Sequence, residues 1–328
     1  MEKTSTMKDV ARLAGVSVGT VSRVINNEAG IKESTLEKVA SAIEALHYIP
    51  DAYARGMKTS KTQTIALIVP TIWHPFFAEF AYYVEEGLSK LNYKLLLCNT
   101  DGSRKEIEYI NMLQQNKVDG IIAITYSPID DYLASGIPFV SIDRTYVNKE
   151  IPCVTSDNYS GGNLAAEKLI EHGCTKLAFL GSHNKTINET KRRRDGFEDY
   201  LVQKEKDYVI FDLEEPFTDY DHQLEQFLIL NPKIDGIFAI NDFTAMTAIS
   251  LLEKLGKNVP EDVQVIGYDG IKYAKERHYP VTTIKQPLEK MANEAIHILM
   301  CILNNQPHEP QVILPITFEE GSSTKIVN

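Results

Sequence analysis

From about Thr64 onward, short apolar runs alternate with amphipathic stretches of helical length, and this alternation constrains the fold more than any other feature. The apolar runs predict strands over 65–69, 93–98, 120–124, 138–142, 176–181, 208–211, 236–240 and 264–268. The stretches between them predict helices over 77–91, 105–115, 160–172, 190–201, 220–230 and 243–255, with a late helix over 288–303. Strands that alternate with helices need crossover connections, and crossovers produce parallel, doubly wound sheets. The run after residue 158 repeats the style of the run before it, so two similar lobes are expected. Ligands in such sheets bind at strand C-terminal ends.

The first 47 residues follow a different rule. Val10, Leu13 and Ala14 have i, i+3, i+4 apolar spacing. Val21, Val24 and Ile25 repeat it, as do Leu36, Val39, Ala40, Ile43 and Leu46. Three short helices are predicted there, with Ser17 capping the second and Ser34-Thr35-Leu36-Glu37 forming a capping box for the third. A tight turn at Gly15 between the first two makes a helix-turn-helix, whose second helix presents its N-terminal residues to bases in the major groove. Ser17, Thr20 and Ser22 offer hydroxyls to phosphates, and Arg23 offers a phosphate clamp or a fork for guanine. Pro50 ends this module, and 51–57 has the length of two helical turns, marginal unless it folds against a partner. The expected organisation is 1–50 for DNA reading, 51–62 for a connector, and 63–328 for ligand binding.

Charge supports two partners rather than one. The chain of 328 residues carries a net charge of −11, yet residues 1–62 hold nine Lys and Arg against seven Asp and Glu, leaving −13 for the remainder. The four cysteines, Cys98, Cys153, Cys174 and Cys301, have no CxxC spacing and read as buried reduced thiols. The N-terminal residues lack the apolar core of a signal peptide, and no apolar run is long enough to span a bilayer, so a cytoplasmic protein without membrane contact is expected. No phosphate-cradling glycine loop or HExxH pattern occurs, and Ser182-His183-Asn184-Lys185 matches Ser-x-x-Lys without companion motifs. No enzyme activity, cofactor or metal is expected.

Asp9-Val10-Ala11, Ala14-Gly15-Val16-Ser17, the run Thr20 to Asn26, Tyr48-Ile49-Pro50 and Ala54-Arg55 together resemble the lactose-repressor/galactose-repressor family. Val118-Asp119-Gly120, Asp143-Arg144, Asn241-Asp242, Tyr268-Asp269 and Thr282 to Pro287 extend the likeness over nearly the whole chain. The resemblance implies an all-α helix-turn-helix domain with a hinge helix. It also implies a two-lobed α/β domain like the type I periplasmic binding proteins, with doubly wound parallel sheets. It places Val18, Gly19 and Arg23 toward base edges. Ser17, Thr20, Ser22, Asn26, Tyr48, Ala54 and Arg55 join them on the DNA side, and Met57 takes the position of a minor-groove wedge. Arg192-Arg193-Arg194-Asp195-Gly196-Phe197 contains the family's Arg-x-x-Gly-aromatic pattern, which selects Arg193 as a sugar contact. Arg192 and Arg194 are then solvated neighbours. Asp269, Asn241, Asp143 and Phe76 complete the implied effector site, and Trp73 is either a stacking wall or a loop anchor.

The implied function is a homodimeric repressor of a palindromic operator, responsive to a small sugar or sugar phosphate. Stretches such as Ile129-Asp130-Asp131-Tyr132 and Thr155-Ser156-Asp157-Asn158 look most like Gram-positive sucrose-operon repressors. Sucrose or fructose is therefore the first expectation, with ribose or another pentose next. Two alternatives are a carbon-catabolite regulator of the same family that uses a phosphorylated carrier protein, and a sugar-binding transport protein, which lacks support without a signal peptide.

Overall fold

The computed structural model describes residues 5–26, 28–49, 62–100, 102–133, 136–146, 150–184, 186, 188–272 and 280–326. The chain divides into two compact units between Thr62 and Gln63.

The first unit holds α1 (Met7–Ala14), α2 (Val18–Ile25) and α3 (Glu33–Ala45). Thr6 and Asp9 form a reciprocal capping box on α1, and Gly15 closes that helix at φ 66°, a left-handed turn that glycine adopts without a Cβ penalty. Val10, Ala11, Ala14, Val21, Val39 and Ala42 make the core. Two expectations fail here. Leu13 is 56% exposed, because the buried stripe of α1 runs through Val10, Ala11 and Ala14 instead, and Ala40 is likewise exposed while Ala42 is buried. The capping box at Ser34–Glu37 is absent. The helix starts at Glu33 behind an extended Lys32, whose carbonyl takes the Thr35 and Leu36 amides at 2.8 and 3.1 Å, so Ser34 lies inside the first turn.

The second unit is a pair of sheets. In the first lobe β1 (Thr64–Val69), β2 (Lys94–Asn99), β3 (Gly120–Ala123), β4 (Phe139–Ile142), β5 (Cys153–Ser156) and β11 (Gln311–Leu314) are all parallel, in the order β11-β5-β4-β3-β1-β2. The second lobe has β6 (Leu177–His183), β7 (Tyr208–Glu214), β8 (Gly236–Ala239), β9 (Gln264–Asp269), β10 (Thr282–Lys285) and β12 (Thr317–Glu319), in the order β12-β10-β9-β8-β6-β7. Only the β10–β12 pair is antiparallel. Helices α4 (Pro75–Lys90), α5 (Ser103–Gln115), α6 (Asn158–Glu171), α7 (Lys191–Gln203), α8 (Tyr220–Leu230), α9 (Asp242–Lys254) and α10 (Leu288–Leu303) connect the strands.

All eight expected strands and the helices expected over 6–47 and 77–303 exist, with ends shifted by a few residues, while the helix expected within 51–62 lies outside the described residues. Strands β5, β10, β11 and β12 were not expected, and they complete the topology. Through them the chain crosses between lobes three times, at 156–158, 285–288 and 314–317. Helix α10 therefore belongs to the first lobe, where Leu288, Met291, Ala295 and Leu299 join the core of Phe80, Val84 and Ile122. The second lobe is built around Phe179, Phe197, Phe238 and Tyr268 on one face and Leu180, Ile237 and Val265 on the other. All four cysteines are buried free thiols.

Helices α6 and α7 cross in close contact because both carry glycine there. A Cβ at Gly162 would lie 2.0 Å from the Arg193 carbonyl oxygen, and one at Gly196 would lie 2.1 Å from that of Tyr159. Backbone cannot yield as a side-chain tip can. Gly196→Ala is therefore expected to lower stability by about 1–3 kcal/mol, measured by urea unfolding, because it drives the two helices apart.

Candidate effector cleft and DNA-reading helix

The C-terminal ends of the strands of both lobes face one cavity of about 190 Å³. Phe76, Asp143, Arg193, Asn241 and Asp269, the five residues singled out from sequence, all line it. Arg193 comes from the third position of α7 and is almost wholly buried. Its Nε donates to Asn158 Oδ1 at 2.7 Å; its Nη1 donates to the Ile240 carbonyl at 2.7 Å and Asp269 Oδ1 at 3.3 Å. The guanidinium lies 3.8 Å from the Tyr268 ring centroid. A buried charge needs this set of partners, since an unpaired one would cost several kcal/mol. Nη2 makes no hydrogen bond among the described residues, which leaves one fork donor for a ligand.

Two buried carboxylates share the cavity. Asp269 ends β9 and also accepts from Gln286 Nε2 at 2.9 Å, while Asp143 follows β4 and accepts from Thr155 Oγ1 at 2.6 Å. Both adopt positive φ, 109° and 55°, conformations that hold their side chains at the strand ends at some backbone cost. Burial raises each carboxyl to about 6; for both, the Arg193 charge and a hydrogen bond oppose the rise. Asn241 caps α9, its Oδ1 accepting from Thr244 N at 2.8 Å. Carboxylate acceptors, amide groups and a forked donor around an aromatic wall suit a polyhydroxyl ligand.

The sequence reading missed several wall residues. His74, Phe77, Tyr126, Ser182, His183, Asn184, Asn188, Thr190, Lys191 and Glu215 also line the cavity. His74 caps α4, its Nδ1 accepting the Phe76 amide at 3.3 Å, and its ring lies 4.5 Å from Phe243 of the other lobe. Burial and the nearby Arg193 charge lower the imidazole to about 4, consistent with an accepting, neutral ring. Ser182, His183 and Asn184 thus stand on the wall of this cavity. Their signal was only their place after a strand.

Neighbours fall out differently. Trp73 is 91% exposed and lines no part of the cavity, so it is neither a wall nor a buried anchor. Arg192 is solvated, but Arg194 is not a bystander: it bridges Glu198 at 2.9 Å and Asp212 at 2.7 Å, tying α7 to β7. Arg144 turns away from the cavity to bind Asp130 at 2.8 Å over the Tyr146 ring. Asp242 is buried, its Oδ2 taking the Ile271 amide at 2.7 Å. No cluster of His, Cys, Asp or Glu among the described residues is arranged to hold a metal ion.

In the first unit, Ser17 Oγ accepts the Thr20 amide at 3.0 Å and lies 2.9 Å from Thr20 Oγ1, which fixes the start of α2. Val18, Gly19 and Arg23 are all exposed on one side of that helix. A Cβ at Gly19 would meet only Ser17 Oγ at 3.7 Å, so packing does not require glycine there. Arg23 is held by Glu28 at 3.1 Å and the Ala29 carbonyl at 3.3 Å. Asn26 caps the helix end and donates to Ser22 Oγ at 3.4 Å, and Tyr48 packs half-buried against the small core. Ala54, Arg55 and Met57 lie outside the described residues.

Comparison with known proteins matches residues 6–51 to bacterial regulatory proteins of the lacI family, and residues 62–320 to periplasmic binding proteins and the sugar binding domain of the LacI family. A sucrose operon repressor of Pediococcus pentosaceus is 36% identical, covering 96% of this chain and 98% of that protein. A ribose operon repressor of Bacillus subtilis is 35% identical over 98% of this chain and 99% of its own length. A solved LacI-type regulator from Alkaliphilus metalliredigens, complexed with D-xylulofuranose, is 33% identical with a TM-score of 0.71, covering 80% of this chain and all of that one.

The raised carboxyl of Asp143 gives a pH test. Its folded value lies above the ordinary carboxylate value, so its stabilisation is full below about pH 4 and lost as pH rises through about 6. Asp143→Asn keeps the acceptor for Thr155 and a residue tolerant of positive φ. It is expected to raise stability by about 1–2 kcal/mol near pH 7.5 and to leave it nearly unchanged near pH 4, read by chemical unfolding at both.

Proposed function

Since the chain belongs to the LacI family of bacterial regulatory proteins, we propose that it represses a carbohydrate-utilisation operon and releases its operator when a small sugar fills the cleft. The observation that carries the reading is the convergence of Phe76, Asp143, Arg193, Asn241 and Asp269 on one buried, polar cavity between two lobes. The chain is a regulator rather than an enzyme.

In this reading two chains form a homodimer, and each α2 reads one half of a palindrome. Val18 meets a thymine methyl, Arg23 exchanges Glu28 for a base or phosphate, and the hydroxyls of Ser17, Thr20 and Ser22 meet phosphates, with Asn26 and Tyr48 supporting the helix. Ala54, Arg55 and Met57 form the hinge segment, Met57 entering the minor groove as an apolar wedge. Arg193 Nη2 and the free carboxylate oxygens of Asp143 and Asp269 bind sugar hydroxyls, with Asn241 and Phe76 completing the contacts. Sucrose or fructose, free or phosphorylated, is the first candidate, supported by the sucrose-operon relative. Ribose or another pentose follows, supported by the ribose-operon relative and the pentulose-bound structure.

The test is fluorescence anisotropy on DNA from the gene's own upstream region, titrated with free and phosphorylated sugars. One sugar should release the DNA; failure of the whole panel overturns the proposal of a sugar-released repressor. Arg193→Ala should abolish the response to that sugar while the ligand-free protein still binds DNA. Met57→Gly should weaken operator binding far more than binding to random DNA, and equal losses would make Met57 a linker residue.

A further inference from the structure

The polar side chains at the interlobe crossovers are buried and hydrogen-bonded to the cleft residues. Arg193 Nε donates to Asn158 Oδ1 at 2.7 Å, and Asn158 Nδ2 donates to Thr155 Oγ1 at 3.2 Å and to the Ser156 carbonyl at 3.0 Å. On the other side Arg193 Nη1 reaches Asp269 Oδ1 at 3.3 Å, and Gln286 Nε2 donates to that same oxygen at 2.9 Å. Ser156 Oγ then donates to Gln286 Oε1 at 2.7 Å. Thr155 and Ser156 are consecutive, so the bonds close into a ring through two crossovers. Thr155, Ser156, Asn158 and Gln286 are each no more than 1% exposed. The third crossover is tied in by the Asp157 amide, which donates to the Leu314 carbonyl at 2.9 Å.

We infer that Asn158 and Gln286 are positioning residues that transmit effector binding at Arg193 and Asp269 to the interlobe hinge. The inference rests on the cleft being the effector site. Lobe rotation needs backbone torsions to change at 156–158, 285–288 and 314–317, the only chain connections between the lobes among the described residues. In the second crossover Gln286 bonds both Asp269 and Ser156 of the first, while in the first crossover Asn158 bonds Arg193 and its own neighbours Thr155 and Ser156, and Ser156 carries the bond to Gln286. A ligand that redirects Arg193 or Asp269 therefore changes the partners of both crossovers at once. Neither Asn158 nor Gln286 lines the cavity, so their effect on the sugar is indirect.

Two experiments on the full chain separate this from a packing role. The first needs no sugar: hydrogen exchange in Arg193→Met, which keeps apolar bulk over Tyr268 and removes every guanidinium bond. Amides of 155–158 and of Lys285, Gln286 and Leu288 should exchange about ten-fold faster, while those of 65–69 stay protected and the solvated control Arg192→Met changes neither. Unchanged exchange at both crossovers overturns the inference, as does acceleration spread evenly through both lobes. The second measures Ser156→Ala, which cuts the bond between the crossovers and leaves every Arg193 partner in place, and Gln286→Met, with sucrose, D-fructose and D-ribose as probes, by calorimetry for sugar and anisotropy for operator. Sugar Kd should stay within about three-fold and sugar-free operator Kd should hold, while sugar-induced loss of operator affinity collapses. A full response in both variants, or loss of sugar binding itself, overturns the inference. A wild-type chain that binds none of the sugars counts against the proposed effector, and the exchange experiment then decides the hinge coupling by itself.

Discussion

The buried charge of Arg193 is the constraint on which the second unit depends. A guanidinium taken out of water must be met by partners in fixed places, and here they come from three separate stretches of chain: Asn158, Ile240 and the consecutive Tyr268 and Asp269. Removing Asp269, the one charged partner, would cost about 3–5 kcal/mol, because the guanidinium charge would be left stranded. The local packing follows from that demand. Gly162 and Gly196 let α6 and α7 approach closely enough for Asn158 to reach Arg193. Gly161 leaves room for Tyr268 under the guanidinium; a Cβ there would lie 2.6 Å from the ring. Three glycines that look like helix-weakening residues in the sequence are thus the geometric condition for burying one arginine.

The same constraint explains why the carboxylates tolerate burial. Asp143 and Asp269 sit with one arginine in a shared low-dielectric space, and their raised values show that burial outweighs its attraction. Two buried carboxyl groups lining one cavity resist a third negative charge beside them. Any phosphate on a ligand would have to lie outward, toward Lys191, His183 and Asn184 on the wall. The base of the cavity is chemically suited to hydroxyl groups.

Much of this architecture was legible from residue patterns. The alternation after Thr64 specified two parallel lobes, since a buried parallel strand writes itself as a continuous apolar run such as Ile65–Val69. The cleft residues were legible because Asp143, Asn241 and Asp269 follow such runs and Arg193 stands in a recognisable motif. Strands β5, β10, β11 and β12 were not, for they are three or four residues long and β11 alternates exposed with half-buried positions. The walls from His74, Tyr126 and Glu215 lie on loops, where no periodicity marks what faces a cavity. Leu13 misled because apolar spacing defines a stripe only to within one helical position. Ser34–Glu37 misled because an extended Lys32 starts α3 earlier than the capping pattern suggests.

How a small ligand moves a large equilibrium follows from which lobe each contact belongs to. Phe76 and Asp143 stand on the first lobe; Arg193, Asn241 and Asp269 stand on the second. A ligand held by one lobe alone binds both arrangements equally and shifts nothing. Bonds that need both lobes together exist in one arrangement only, and a charged hydrogen bond in a dry site contributes about 1.5–3 kcal/mol. Reversing a 1:99 population to 99:1 takes about 5.5 kcal/mol, so two or three such bridging bonds suffice. The first lobe presents His74, Tyr126 and Asp143 to the cavity opposite Arg193 and Asp269, which is that number of polar groups, and the backbone bond from Glu189 N to the Asp143 carbonyl at 2.9 Å already joins the two lobes there. On the proposed effector site, the response to a ligand is therefore decided by whether that ligand reaches Asp143 and its first-lobe neighbours while bound to Arg193.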